Sequence, residues 1–265
     1  AAETNPQVKH IAKVLYHWRQ YQGSVSLDSG AKDYAFEAGI KALNQAMQRR
    51  KIAGTASEIK SLWRGNYQLD LVCPDRVDID VISLDSALAP EDYTRFINQA
   101  VEESGHTYIA LISQALIASN ENSIAHLAAW LTMDSVGMAA GGILTDHQLI
   151  NYAGATYAQD GSVLIPYQCS SVDEPGYMAV THLVRNISAP HPFCVLIRRQ
   201  LWQQLDGLDS RYLGFYSLLD FSLRAQAVGK RCVSVPQAQF ITAQPEILNH
   251  YPKQDKALFS QQWQA

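Results

Sequence analysis

No stretch of the 265-residue chain stays apolar for long enough to span a bilayer. The longest apolar runs, Tyr108 to Ala118 and Ile124 to Leu131, fall short of the roughly 18–20 residues that a membrane helix needs, so no membrane span is expected. Charge is sparse too. Asp, Glu, Lys and Arg make up 17% of the residues and the net charge is −4, which leaves no basic surplus to neutralise a phosphate backbone and excludes nucleic acid as an expected partner. Ala1 to Lys9 shows no charged region followed by an apolar run, so no secretory signal is expected. The four cysteines, Cys73, Cys169, Cys194 and Cys232, show no CxxC spacing. They are read as mostly buried free thiols of a reducing compartment, hence a cytoplasmic expectation. His10, His17, His106, His126, His182 and His250 lack metal-ligand spacing with carboxylates, so no metal site is expected from them. The chain has no Gly-x-Ser-x-Gly, P-loop or Gly-x-Gly-x-x-Gly, which removes support for hydrolase, NTPase and dehydrogenase readings.

What the chain has is enough apolar residue, 47%, to bury a sizeable core. Val8, Ile11, Leu15 and Trp18 recur at helical spacing and predict a helix from Pro6 to Tyr21. Phe36, Ile40, Leu43 and Met47 predict a second from Lys32 to Lys51, and the glycines of Lys51 to Asn66 close this unit. The first 66 residues are therefore read as a helical N-terminal segment and residues 67–265 as an α/β domain. Strand patterns at Tyr67 to Leu71, Val77 to Ile82, Tyr108 to Ile112, Met138 to Leu144, Cys194 to Ile197 and Arg231 to Val235 alternate with helical ones at Glu91 to Glu103, Ser123 to Thr132, Gln200 to Leu205 and Leu218 to Val228. That alternation argues for a sheet covered on both faces.

A series of landmarks then falls in a telling order: the strand Val136 to Leu144, Ile150-Asn151-Tyr152-Ala153-Gly154, Gly176-Tyr177, Arg185-Asn186-Ile187-Ser188-Ala189 before Cys194 to Arg199, Leu205 to Asp209, Asp220-Phe221-Ser222-Leu223-Arg224, and Val235-Pro236-Gln237-Ala238. From Tyr108 to Gln244 this order resembles family 2 glycosyltransferases of the bacterial surface-polysaccharide and O-antigen type. The resemblance implies a GT-A-like fold, that of nucleotide-diphospho-sugar transferases: a mixed sheet flanked by helices, here with a reduced nucleotide-binding half, since Val77 to Ile112 leaves room for one strand, one helix and one strand.

The same resemblance says which residues the chemistry would need. A divalent cation offsets the charge of the diphosphate leaving group, and the family's Asp-x-Asp ligands fall on Ser113, Gln114 and Ala115. The Glu and the base Asp fall on Ser217 and Leu218; the supporting aspartate survives as Asp220, the one catalytic candidate. A further metal-site histidine falls on Thr242. His191, Arg185 and Tyr177 are acceptor-side candidates. The leading expectation is thus a polysaccharide-biosynthesis protein of glycosyltransferase type that lacks activity, uses no cofactor, and binds a nucleotide sugar, a glycan, or another protein or domain of an assembly system. One alternative is an active, metal-independent transferase with a carboxylate drawn from Asp85, Glu91, Asp92, Asp173 or Glu174; Mn or Mg enters only if transfer is retained. The other is a protein interaction module built on the N-terminal helices.

Overall fold

The computed structural model describes residues 11–17, 33–85, 88–158, 160–245 and 253–263. Most of the helix expected from Pro6 to Tyr21 lies outside them. Over its described part, 11–17, the chain is not helical, and Ile11, Val14 and Leu15 are exposed. A short helix is marginal in water unless tertiary packing buries its apolar face, and these side chains stay in solvent.

The second expected helix is α1 (Asp33–Arg49), with Met47 buried. It packs on a hairpin of β1 (Gly54–Glu58) and β2 (Tyr67–Leu71), paired antiparallel from Gly54 opposite Leu71 to Glu58 opposite Tyr67. Gly39 permits this contact: a Cβ there would lie 2.3 Å from the Tyr67 hydroxyl, which donates to the Phe36 carbonyl at 3.1 Å. On the far side, Asn44 Oδ1 accepts from Ala56 N at 3.0 Å. The segment before residue 67 is thus not wholly helical. β1 reads Gly-Thr-Ala-Ser-Glu, with one β-branched residue, so pairing rather than propensity makes it a strand.

The main body follows in the order β3 (Ile79–Leu84), α2 (Pro90–Glu103), β4 (Tyr108–Ser113), β5 (Ile117–Ala118), α3 (Ser123–Trp130), β6 (Val136–Thr145), β7 (Ile150–Tyr152), β8 (Thr156–Tyr157), β9 (Val163–Leu164), β10 (Arg185–Asn186), β11 (Cys194–Arg198), α4 (Arg199–Gln204), α5 (Phe215–Ala227), β12 (Arg231–Thr242) and α6 (Lys253–Trp263). The sheet order is β10-β12-β6-β11-β4-β3, with β5 added to β12 and β7 to β6. β3 runs parallel to β4 and β6 parallel to β12, while β11 lies antiparallel between β4 and β6. This is the mixed sheet flanked by helices that the sequence predicts. It reaches its outer edge at β3, so a single βαβ unit, β3–α2–β4, stands on that side of β11.

Alternate residues of each strand feed two apolar layers. One holds Ala110, Ala139, Leu196 and Val233 with Leu127 and Leu131 beside α3; the other holds Ile109, Leu111, Met138 and Val195 with Ile97 and Val101 of α2. α5 serves both, Phe215 and Leu219 on one side and Leu218 and Phe221 on the other, so its first turns are core. No helix among the described residues is long and apolar enough to cross a membrane.

Candidate functional site

Of the positions that the resemblance assigns to transfer chemistry, Ser113, Ser217, Leu218, Asp220 and Thr242 are buried. β4 ends at Ser113, which is buried; its Oγ accepts from Ala115 N at 3.2 Å and its N–H donates to Phe193 O at 3.0 Å. Gln114 is exposed and carries no charge. On α5, Ser217 Oγ donates to Gly214 O at 2.7 Å across the first turn, and Leu218 is fully buried. Asp220, two residues on, is fully buried as well. Its Oδ2 accepts from Arg224 Nε at 2.8 Å, and its Oδ1 accepts from Gln262 Nε2 and Trp263 Nε1, both at 3.0 Å. Arg224 also donates to Gly207 O at 2.9 Å. Asp220 therefore ties α5 to α6 and to the turn before it, and its oxygens are occupied by those donors. Thr242 is buried, with Oγ1 accepting from Gln244 N at 3.0 Å. Among the described residues no three His, Cys, Asp or Glu side chains are grouped so as to hold a metal ion. Ser113, Gln114, Ala115 and Thr242 bring no charged oxygen to the place the resemblance assigns to a divalent cation, so these residues do not fit one.

The acceptor-side candidates do not converge on one cavity either. His191 is fully buried; its Nδ1 accepts from Phe193 N at 3.2 Å and its ring stands edge-on to Tyr152 and Phe215. Tyr152 in turn donates its hydroxyl to Ala189 O at 2.6 Å, and Tyr93 donates to Pro192 O at 2.9 Å. This aromatic cluster holds the Pro190–Pro192 turn. Arg185 donates Nε to Val180 O at 3.0 Å and Nη2 to Ala153 O at 2.6 Å; burial lowers its pKa from the ordinary arginine value. Tyr177 is 80% exposed at a loop tip, its N–H donating to Tyr167 Oη at 2.8 Å.

An open cavity of about 300 Å³ lies elsewhere, at the seam between the β1–β2 hairpin and the sheet. Its floor comes from a bulge. β12 and β6 keep register from Cys232 opposite Met138 to Val235 opposite Gly141; Gln239 is the next paired residue, opposite Gly142, so Pro236, Gln237 and Ala238 are extra. A bulge re-aims side chains and tolerates a proline inside a central strand. Gly141 is required beside it, because a Cβ would lie 2.8 Å from Cys194 Sγ and from Phe240 Cε2 and 2.9 Å from Ala238 O. The bulge sets Gln237 on the cavity wall, where its buried Oε1 has no hydrogen-bond partner.

The second wall is the loop 167–184. Tyr167, Cys169, Met178 and Ala179 all hold left-handed backbone there, with φ of 64°, 66°, 55° and 57°. Each such residue is strained by about 1–3 kcal/mol and persists only where its surroundings dictate it. Cys169 N donates to Ile150 O and Ile150 N to Ser170 O, both at 2.8 Å, and Thr181 Oγ1 donates to Glu174 O at 2.7 Å. The loop thereby presents Asp173, Thr181 and His182 to the cavity, with His182 Nδ1 2.9 Å from Thr181 Oγ1. The hairpin supplies Ile59 and Gln68. A second cavity of about 330 Å³ shares Gln68 and His182 as a common wall and is also lined by Asn66 and Trp130.

Sequence reading missed Gln68, Gln237 and Gln239 as wall residues. Pro236 inside a strand pattern is the one local sign of the bulge; nothing local ties Gln68 to it.

No protein-family model matches the chain. Among curated proteins it is similar to the uncharacterized protein y4gI of Sinorhizobium fredii (strain NBRC 101917 / NGR234), 23% identical over 287 residues, covering 88% of this chain and 32% of that protein. It is also similar to the O-antigen biosynthesis protein RfbC of Myxococcus xanthus, 20% identical over 295 residues, covering 91% of this chain and 23% of that protein. The chain thus spans 32% and 23% of the lengths of these relatives. Both alignments run over more positions than the chain has residues, so both relatives hold residues with no counterpart here. Solved structures that it resembles include GalNAc-T7 with UDP, GalNAc and Mn2+ (TM-score 0.43, 10% identical, 56% of this chain and 30% of that chain). Another is the mannosyltransferase PcManGT from Pyrobaculum calidifontis with GDP-Man and Mn2+ (TM-score 0.39, 11% identical, 58% of this chain and 36% of that chain). At TM-scores this low the likeness decides nothing about chemistry. The chain is similar to glycosyltransferases of GT-A type and, distantly, to an O-antigen biosynthesis protein.

Proposed function

We propose that this chain is a glycosyltransferase-like domain of a larger polysaccharide-biosynthesis protein, and that it binds carbohydrate without transferring it. The observation that carries this reading is the state of Asp220: fully buried, with donors from Arg224, Gln262 and Trp263 on its two oxygens. A base must reach the proton it abstracts, and this carboxylate is directed into the packing of α5 against α6. Ser217 and Leu218 on the same helix, and Ser113 at the end of β4, offer neither charge nor base, and fold by itself does not confer activity. The similarity to RfbC supports the polysaccharide setting. The free state of Cys73, Cys169, Cys194 and Cys232 supports a reducing, cytoplasmic compartment, although Cys169 is exposed and Cys73 only partly buried.

A second reading keeps one foothold. Of the carboxylates open to a rearranged, metal-independent transferase, Asp173 lines the open cavity, whereas Asp92 is paired with Arg95 on the surface of α2. The test is incubation with UDP- and GDP-sugars, with and without Mn2+, following nucleotide diphosphate release and bound ligand together. Binding without release is expected. Release that Asp220→Asn abolishes would overturn the proposal, and release that Asp173→Asn abolishes would establish the rearranged site instead.

A further inference from the structure

We propose that the two cavities at the seam form one groove for a neutral oligosaccharide, a chain of uncharged sugar units held between the β1–β2 hairpin and the sheet. The inference rests on the reading that the domain binds carbohydrate, and names where and of which kind.

Charge selects the ligand class. Among the described residues lining the two cavities there is no lysine or arginine, and Asp173 is the one carboxylate. A nucleoside diphosphate or an acidic sugar would enter without a counter-charge and beside a negative one. Arg185, close behind the first cavity, is turned to the carbonyls of Ala153 and Val180.

The polar groups suit hydroxyls. A carboxamide donates and accepts, as a sugar hydroxyl does, and three glutamines, Gln68, Gln237 and Gln239, line the first cavity. Among the described residues the side chains of Gln237 and Gln239 make no hydrogen bond, and Oε1 of Gln237 is buried without a partner. Such groups are rare in folded proteins unless a ligand or water completes them. In the second cavity Trp130 adds an aromatic surface, half-buried, of the kind that packs against the apolar face of a sugar ring.

Size and rigidity agree. Each cavity lies near the lower end of the 300–1,000 Å³ or so typical of ligand sites, and both are lined by Gln68 and His182, so the proposed groove crosses these two residues and takes successive sugar units rather than one. The loop 167–184 already holds left-handed Tyr167 and Cys169 in place through the Ile150–Cys169 and Ile150–Ser170 hydrogen bonds. Little ordering is therefore left for binding to impose.

The experiment is isothermal titration of the whole chain with maltohexaose, cellohexaose and chitohexaose as neutral probes, hexagalacturonate as the acidic one, and UDP- and GDP-sugars alongside. At least one neutral hexasaccharide is expected to bind. Gln237→Ala on the bulge and Gln68→Ala on the hairpin are each expected to weaken it about tenfold, the effect of losing one good hydrogen bond, with unchanged unfolding midpoints. Hexagalacturonate is expected to bind more weakly than the neutral probes, and Asp173→Asn to narrow that gap. A neutral probe that binds wild type and both glutamine variants equally would overturn the groove while leaving the carbohydrate-binding reading intact. Binding of sugar nucleotides or hexagalacturonate with none of the neutral probes would do the same. No binding of any probe would overturn both.

Discussion

Two regions of this molecule carry polar side chains in opposite conditions. Around Ser113, Ser217 and Asp220 the side chains are buried and engaged: Ser113 by Ala115, Ser217 by Gly214, Asp220 by Arg224, Gln262 and Trp263. At the seam between hairpin and sheet, Gln237 and Gln239 line open space, Oε1 of Gln237 has no partner, and the adjoining loop holds four non-glycine residues in left-handed backbone. Satisfied polar networks rigidify a core, whereas unsatisfied groups and stored strain mark places where something else completes the structure. An aspartate in a transferase-like sequence context can therefore be a structural tie, and the part of such a scaffold open to a ligand can lie where the motif does not point.

The sharpest way to break that contrast is to remove the tie. Asp220→Leu leaves the Arg224 guanidinium and the Trp263 and Gln262 donors without their acceptor, and should destabilise the fold by about 3–5 kcal/mol, as loss of one member of a buried ion pair does. Asp220→Asn keeps the shape and one acceptor, and should be milder, about 1–3 kcal/mol. Urea unfolding measures both; unchanged stability would remove the structural role assigned to Asp220. Gly141→Ala should destabilise by about 1–3 kcal/mol through overpacking against Cys194, Phe240 and the Ala238 carbonyl. Because the strain falls on the bulge, the same variant should also weaken oligosaccharide binding, and full affinity would separate bulge from groove.

Acid should loosen α6 before the groove. The carboxyls of Asp160, hydrogen-bonded to Lys256 and Ser162, and of Asp209, hydrogen-bonded to Arg211, are held below the usual carboxylate range. Groups depressed in the folded state contribute stability above their unfolded pKa, about 4, and lose it as pH falls through the folded value. Lys256 lies on α6, and Arg211 also donates to Gln262 of α6. Amide exchange below about pH 4 should accordingly rise first in α6, and earlier exchange in β6 would contradict this. The smallest effect expected is chemical. In the native protein a thiol reagent should label exposed Cys169 first, whereas Cys194, whose pKa burial pushes up to about 12, and Cys232, raised likewise, should react only on unfolding.

Much of the sheet was legible because its signals are local. β4, β6, β11 and the first half of β12 are apolar runs bounded by polar residues, and α2 repeats its apolar positions at helical spacing. The absence of charge at Ser113, Gln114 and Ala115 was legible too, once the order of landmarks fixed those positions. The helix expected from Pro6 to Tyr21 failed over 11–17 because periodicity does not say whether a face will find a partner. β1 and the bulge at Pro236 to Ala238 were missed because each is made by its neighbour: β2 for one, Gly141 and Gly142 for the other. The seam joins residues 43, 59–69, 130, 142–153, 172–184 and 234–239, distant in sequence and brought together by packing alone. Its polar groups are amides, hydroxyls, the His182 imidazole and the Asp173 carboxylate, without spacing that could announce them.

A single spectrum can compare the two regions most directly. With the 15N-labelled chain, titration of the neutral hexasaccharide that binds should shift the amide signals of Gln68, His182 and Gln237 and leave those of Ser113, Ser217 and Asp220 in place. Adding a UDP- or GDP-sugar with Mn2+ should then release no nucleotide diphosphate. Shifts centred on Ser113 and Asp220, accompanied by release of the nucleotide diphosphate, would contradict the account.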